Sequence, residues 1–283
     1  MRGHDGGVSD RTGESTEPTQ TPDLGARPPE PEQGQAPRAV PDRLSRLERA
    51  LAPTVRAAQD VEQHALPAWR RATQGEPRWP VSVAVMTAIG LQLVLPDRLV
   101  FRPHYVLPSL EVALLLGLVA SNPRRIDKES TLLRAASMAL IAVISVANAG
   151  SAGRLVHELV NGTAGQSAGP LLSNGAAIWV TNLLVFALWY WELDRGGPVR
   201  RSLGVSQYPD FQFTQMTSPE LAHPHWEPMF ADYLYLSFTN ATAFSPTDVL
   251  PLSRWAKLTM MIQSAVSLVT IALVIARAVN ILK

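Results

Sequence analysis

The residues with most chemistry to offer lie between 229 and 250. Thr239, Asn240, Thr242, Ser245 and Asp248 follow a short apolar and aromatic stretch, Met229 to Phe238, and precede a long apolar run. Hydroxyl and amide oxygens in such a place replace part of an ion's hydration shell. Four uncharged or acidic groups fall inside other apolar runs: Glu111, Asn148, Asn182 and Gln263, with Gln92 as a fifth. Polar side chains in hydrocarbon must find partners, so each either joins helices or lines a pathway. Glu111 sits about one turn into its segment; it either reaches the interface or handles a proton or cation.

Catalytic sets are thin. His223-Pro224-His225 with Glu227 holds metal-ligand types, but Pro224 and Pro228 leave no helical face to gather them. His157-Glu158 reads as a solvated pair in an outward loop, and glycines 150, 153, 162, 165 and 169 read as a flexible connector. With no cysteine in 283 residues, disulfides, thiolate nucleophiles and cysteine-bound zinc are excluded. There is no phosphate-binding glycine loop and no nucleophile elbow. The expectation is a protein that is not an enzyme, with no cofactor, no metal and no catalytic residue. The rival is a membrane-embedded enzyme that uses Glu111 or Asp232 with a histidine.

The elements that must position these residues are apolar helices. A bilayer crossing needs about 20 mostly apolar residues, with roughly 17 as a lower limit. Segments 79–95, 131–150, 173–191 and 258–282 qualify, and 107–120, which carries Glu111, is a shorter fifth. Trp79, the Trp189-Tyr190-Trp191 cluster and Trp255 mark segment ends, where interfacial aromatics belong. Residues 229–250 have the plan of a re-entrant loop: a short helix, a polar turn, then a full span. The fold expected is therefore all-α, an integral membrane bundle of about five spans with a short re-entrant segment.

Charge sets the orientation. Arg70, Arg71, Arg78, Arg124, Arg125, Lys128, Arg134, Arg195, Arg200, Arg201, Arg254 and Lys257 flank one side, while Arg98, Arg102, Arg154, Arg277 and Lys283 flank the other. Twelve against five places the first set, and the N-terminus, in the cytoplasm of a multi-pass inner-membrane protein. The C-terminus then lies outside.

Ahead of the spans, residues 1–41 hold seven prolines, six glycines and no aromatic residue, too little apolar surface to offset ordering, and read as a disordered tail. No apolar run follows the first charges, so no signal peptide is expected. Residues 42–77 read as an amphipathic juxtamembrane region. Leu44, Leu47, Leu51, Val55 and Ala58 recur at helical spacing, Asp42 is the N-cap and Pro53 interrupts the helix. This helix either binds a membrane surface or partner, or lies solvated against the fold. Ten basic and twelve acidic groups in residues 1–77 exclude a strong polybasic anchor. The partners expected are the lipid bilayer, further copies of the chain in a homo-oligomer, and a cytoplasmic protein held by the tail. A net charge of +1 gives no footprint for nucleic acid.

Asp232–Asp248 resembles the pore-helix and filter stretch of two-helix potassium channels. Ser237-Phe238-Thr239 matches the end of their pore helix, and Thr242 to Asp248 falls on the signature Thr-Thr-Val-Gly-Tyr-Gly-Asp, with Asp248 and Pro251 in their expected places. Ser245 and Thr247 replace both glycines and Pro246 the tyrosine, so a strained ladder of carbonyls is not expected and potassium selectivity does not carry over. The charge count also starts the last span on the inside, opposite to those channels. Over roughly residues 80–283 the chain is similar to a family of bacterial multi-pass membrane proteins bearing a domain of unknown function. Tyr235, Ser237, Phe238, Thr239, Phe244, Asp248, Ala278, Val279 and Asn280 carry that likeness, which implies membership and no activity.

The function expected is a channel-like or transporter-like membrane protein with a degenerate pore loop. The alternative is a non-conducting scaffold in which Ser245-Pro246-Thr247-Asp248 simply caps the last helix.

Overall fold

The computed structural model describes Ala52 and residues 67–126, 130–163, 167–242 and 248–282. The expected tail, most of the amphipathic repeat before residue 67, and Ala243 to Thr247, Ser245 included, lie outside the described residues. The chain divides into two units after Val55; the elements below belong to the second.

Six helices dominate: α1 Trp79–Val94, α2 Val106–Ser121, α3 Thr131–Val160, α4 Ala168–Leu193, α5 Phe230–Thr242 and α6 Arg254–Leu282. Three of them, α3, α4 and α6, are long and apolar enough to cross a membrane; α1 and α2 are apolar but only 16 residues each. Proline punctuates the bundle. Pro80 opens α1, and Leu95 and Asn122 leave the helical region just before Pro96 and Pro123.

Two expectations change. The juxtamembrane region is not a continuous helix over residues 67–77: Ala68–Arg70 makes a single 3-10 turn and Glu76–Pro77 (β1) is extended. Pro67 and Pro77 cannot donate within a helix, and Gly75 takes a left-handed φ of 81°. The glycine connector is also shorter than expected, because Gly150 and Gly153 lie inside α3 and Gly169 inside α4. At Gly150 the missing Cβ leaves room for the Phe101 ring, which a side chain would meet at 2.3 Å.

Short antiparallel ribbons fix the helix ends. Strand β1 pairs with Arg125–Ile126 (β2), so the start of α1 meets the chain leaving α2. Phe211–Gln212 (β3) pairs with Leu250–Pro251 (β4), which brings the start of α6 to the loop that follows α4. At the opposite end, Arg98 pairs with Glu158 at 3.2 Å and Arg154 donates to the Leu99 carbonyl. Successive long helices therefore run antiparallel, as short connections require.

Helix α4 is the hub. Residues 181–192 are buried nearly all round, with Phe186 and Trp189 half-covered, the pattern of a helix surrounded by others. It packs on α1, α3, α5 and α6. Close approach to α6 depends on Gly175, where a Cβ would stand 2.8 Å from Val274 Cγ2.

We expect Gly175→Leu to destabilise the bundle by about 1–3 kcal/mol, seen as a lower midpoint of thermal unfolding in detergent. Gly153→Leu, on an exposed face with no atom within 4 Å of its Cβ site, should shift it far less.

Candidate functional site

Two polar layers cross the bundle. The first lies at the end where α4 finishes and α5 and α6 begin. Helix α4 runs out at Leu193 into a 3-10 turn, Asp194–Gly196, in which Arg195 takes φ 54° and Gly196 and Gly197 are left-handed. That turn throws Asp194 and Arg195 inward, and the five-residue helix Pro198–Ser202 returns Arg201 beneath them. Arg201 donates to the carbonyls of Trp191 and Asp194 and stands 3.8 Å from Glu76 Oε2, an ion pair too long for a hydrogen bond.

Each acid in this layer has further partners. Glu76 accepts from Trp191 Nε1 at 2.6 Å and from the Phe230 amide. Asp194 accepts from the Tyr233 hydroxyl at 2.5 Å and the Asp210 amide at 2.8 Å. Asp210 in turn holds the Arg195 amide and Trp255 Nε1. Arg195 donates to the carbonyls of Trp69 and Ser206. Burial raises the Glu76 pKa above the ordinary glutamate value, against the pull of Arg201, Trp191 and the Phe230 amide. For Arg201 burial works against the charge, but Tyr233, Asp194, Glu76 and Glu192 outweigh it and raise its pKa.

The second layer lies deeper, between α4, α5 and α6. Gln263 Oε1 accepts from the Tyr190 hydroxyl and from Asn240 Nδ2, each at 2.7 Å. Gln263 Nε2 donates to the Ser237 carbonyl and hydroxyl, and Ser237 donates to the Leu183 carbonyl. Asn240 Nδ2 also reaches the Met260 carbonyl, while Ser264 donates to Asn240 Oδ1. One turn further along, Asn182 donates to Ser267 Oγ at 3.0 Å.

The expected site residues thus separate. Asn240, Gln263 and Asn182 come together in this layer. Thr239 and Thr242 donate back to carbonyls of their own helix. Asn148 is buried in α3. Asp248 does not cap the last helix: α6 starts at Arg254, and Asp248 lies in a bend six residues earlier, where it accepts from the Tyr235 hydroxyl at 3.4 Å. Strand pairing of Leu250–Pro251 with Phe211–Gln212 holds residues 250–251 out of any helix.

Glu111 is corrected too. It does not reach an interface; it is 0% exposed and accepts from Gln92 Nε2 at 3.2 and 3.3 Å. In the loop between α1 and α2, Leu99 is fully buried in a cluster with Ala152, Leu155 and Leu159 of α3. His157 and Glu158 belong to the last turns of α3 rather than a loop. His223 and His225 are exposed, and among the described residues no group of three or more histidines or acids is placed to hold a metal.

Reading the sequence alone missed the first layer. Its members are scattered from Trp69 to Trp255, and most lie just outside the apolar runs. The available signal was Asp194-Arg195-Gly196-Gly197, a charged pair and two glycines at the end of a long apolar helix.

Two outcomes test this layer. Arg201→Met should destabilise the protein by about 3–5 kcal/mol, because it strands buried acids, as measured by chemical unfolding in micelles. The folded chain also holds the Glu76 proton more tightly than the unfolded chain, whose value is about 4.3. Stability should therefore fall as pH rises from there through the raised folded value, and Glu76→Gln should flatten that stretch of a melting-temperature profile.

Comparison with protein-family models, with curated proteins and with solved structures found no match for this chain.

Proposed function

We propose that the chain is a multi-pass membrane protein of five spans, α1, α2, α3, α4 and α6, with α5 as a re-entrant segment, and that it conducts or transports an ion as a homo-oligomer. The orientation has Arg78, Arg125, Arg134, Arg195, Arg201 and Arg254 on the cytoplasmic side, and two features support it. These arginines share one end of the bundle, and Arg98, Arg154 and Arg277 occupy the other.

The observation that carries the reading is the course of α5. It starts beside Glu76 and Trp191 at the first end. By Asn240 it reaches Gln263, nine residues into α6, which is about 13 Å or close to half a hydrocarbon core. By Leu250 the chain is back beside Gln212 at the end it left. A half-crossing of this kind carries polar groups to mid-membrane depth, and there Asn240, Ser237 and Gln263 are the groups nearest a pathway. Potassium selectivity is no part of the proposal, since the filter glycines are replaced.

A second reading, a non-conducting scaffold, is favoured by a different observation: the amides of Asn240 and Gln263 are already hydrogen-bonded within the chain. Purified protein in liposomes, assayed for cation, anion and proton flux, separates the two. We expect ion flux that changes several-fold in Asn240→Ala and stays near wild type in Thr242→Ala, whose hydroxyl serves only its own helix. Folded protein without flux of any ion, across several voltages and pH values, would leave the scaffold.

A further inference from the structure

A cleft between α1, α2, α3 and α4 opens at the arginine-rich end of the bundle. Its inner walls are apolar, formed by Val81, Val85, Leu115, Leu140, Ile141 and Leu188. From Ser130 at the mouth to Ile141 inside, it follows eleven residues of α3, about 16 Å. Around the mouth stand Arg78, Arg134, Arg200 and Asn122, with Glu192 as the acid among them. Glu192 accepts from Ser137 at 2.9 Å, and three cations against one anion leave positive charge in excess. The N-terminal ends of α1 and α3, helices of 16 and 30 residues, open on the same mouth.

Two side chains here are more than nine-tenths buried and still incompletely partnered. Arg78, 8% exposed, has no acceptor for Nε, and Asn122, 4% exposed, has no donor for Oδ1. Arg134 Nε is unpartnered as well. Buried polar groups are ordinarily satisfied, so two donors and an acceptor left open on residues that line one apolar cleft favour a ligand that would complete them. It must carry an anion for the arginines, a hydroxyl donor for Asn122 and an alkyl chain for the interior. Inorganic phosphate lacks the chain. A fatty-acid carboxylate lacks the hydroxyl. A zwitterionic lipid brings a cation of its own to the arginines.

We propose that this cleft binds one anionic glycerophospholipid, its phosphate among Arg78, Arg134 and Arg200, its headgroup hydroxyl toward Asn122, and an acyl chain along α3. The inference needs membrane insertion and is independent of whether any ion is transported.

The test is native mass spectrometry of the full chain, released from detergent after titration with phosphatidylglycerol, phosphatidylcholine, palmitate or inorganic phosphate. We expect one phosphatidylglycerol per chain, held at least tenfold more tightly than phosphatidylcholine. Arg134→Gln should cut that preference several-fold, and Leu140→Trp, which fills the interior, should lower occupancy by phosphatidylglycerol. Circular dichroism melts identify folded variants, and the two substitutions probe headgroup and chain separately, so either alone suffices. Equal retention of both phospholipids, displacement of phosphatidylglycerol by equimolar palmitate or phosphate, or wild-type binding in both variants would overturn the proposal. Flux in liposomes is read separately, so its failure leaves this result untouched.

Discussion

The structure depends on keeping the Arg201 guanidinium buried. A cation of that size is costly to remove from water unless nearby acids and carbonyls replace its hydration. Here the Trp191 and Asp194 carbonyls, the Glu76 carboxylate and the face of the Tyr233 ring, 5.0 Å away, take that part. These groups come from three places in the chain, the extended lead into α1, the end of α4 and α5, and Arg201 from a fourth, the helix Pro198–Ser202. None can shift alone without exposing a charge to an apolar neighbour. The layer therefore works as a latch on the open end of the bundle, where helix ends alone would offer little packing. It also explains the tight turn at Arg195, whose positive φ is unfavourable for a side chain but aims consecutive residues at different partners.

The deeper layer obeys the same rule with neutral groups. Amides and hydroxyls cost less to bury than charges, and Asn240, Gln263, Tyr190 and Ser237 satisfy one another across three helices. Such a network holds α5 at a set depth. In the proposed conducting reading, packing and ion binding would compete for the same oxygens and amides. Glu111 stands apart from both layers, with Gln92 as its hydrogen-bonding partner.

Much of the helical plan was legible, because apolar runs of 14 to 25 residues have few other outcomes. Segment 107–120 became α2 within one residue at each end, and α1 ended one residue short of the expected boundary. The long helices ran further than hydropathy alone marked: α3 continues ten residues past Gly150 because residues 151–160 still present Ala152, Leu155 and Leu159 to the core. Partner choice was not legible. Glu111 sits at a depth that reads as interfacial, yet it is fully buried and held by Gln92 from the neighbouring helix. Asp248 satisfies the local spacing of a cap, yet the pairing of β3 with β4 overrides it. A local motif gave way to a non-local ladder, the kind of competition that a single sequence leaves undecided.

The same reasoning separates the two groups of arginines at one end of the bundle. Arg195 and Arg201 donate mainly to acceptors from within the chain, and the Arg201 Nη2 that lacks a hydrogen bond still stands 3.8 Å from the Glu76 carboxylate. Arg78 and Arg134 line an apolar cleft, each with an Nε that has no acceptor. If burial alone governed this end, both groups would have recruited acids, and Glu192 is the one acid on that wall. A protein that spends acids fully on Arg201 and sparingly on Arg78 leaves a basic opening beside a neutralised latch. If the chain lies in a bilayer as proposed, a lipid phosphate would meet such an opening with its alkyl chain attached, which is why the cleft is read as a lipid site and not as a site for a free anion.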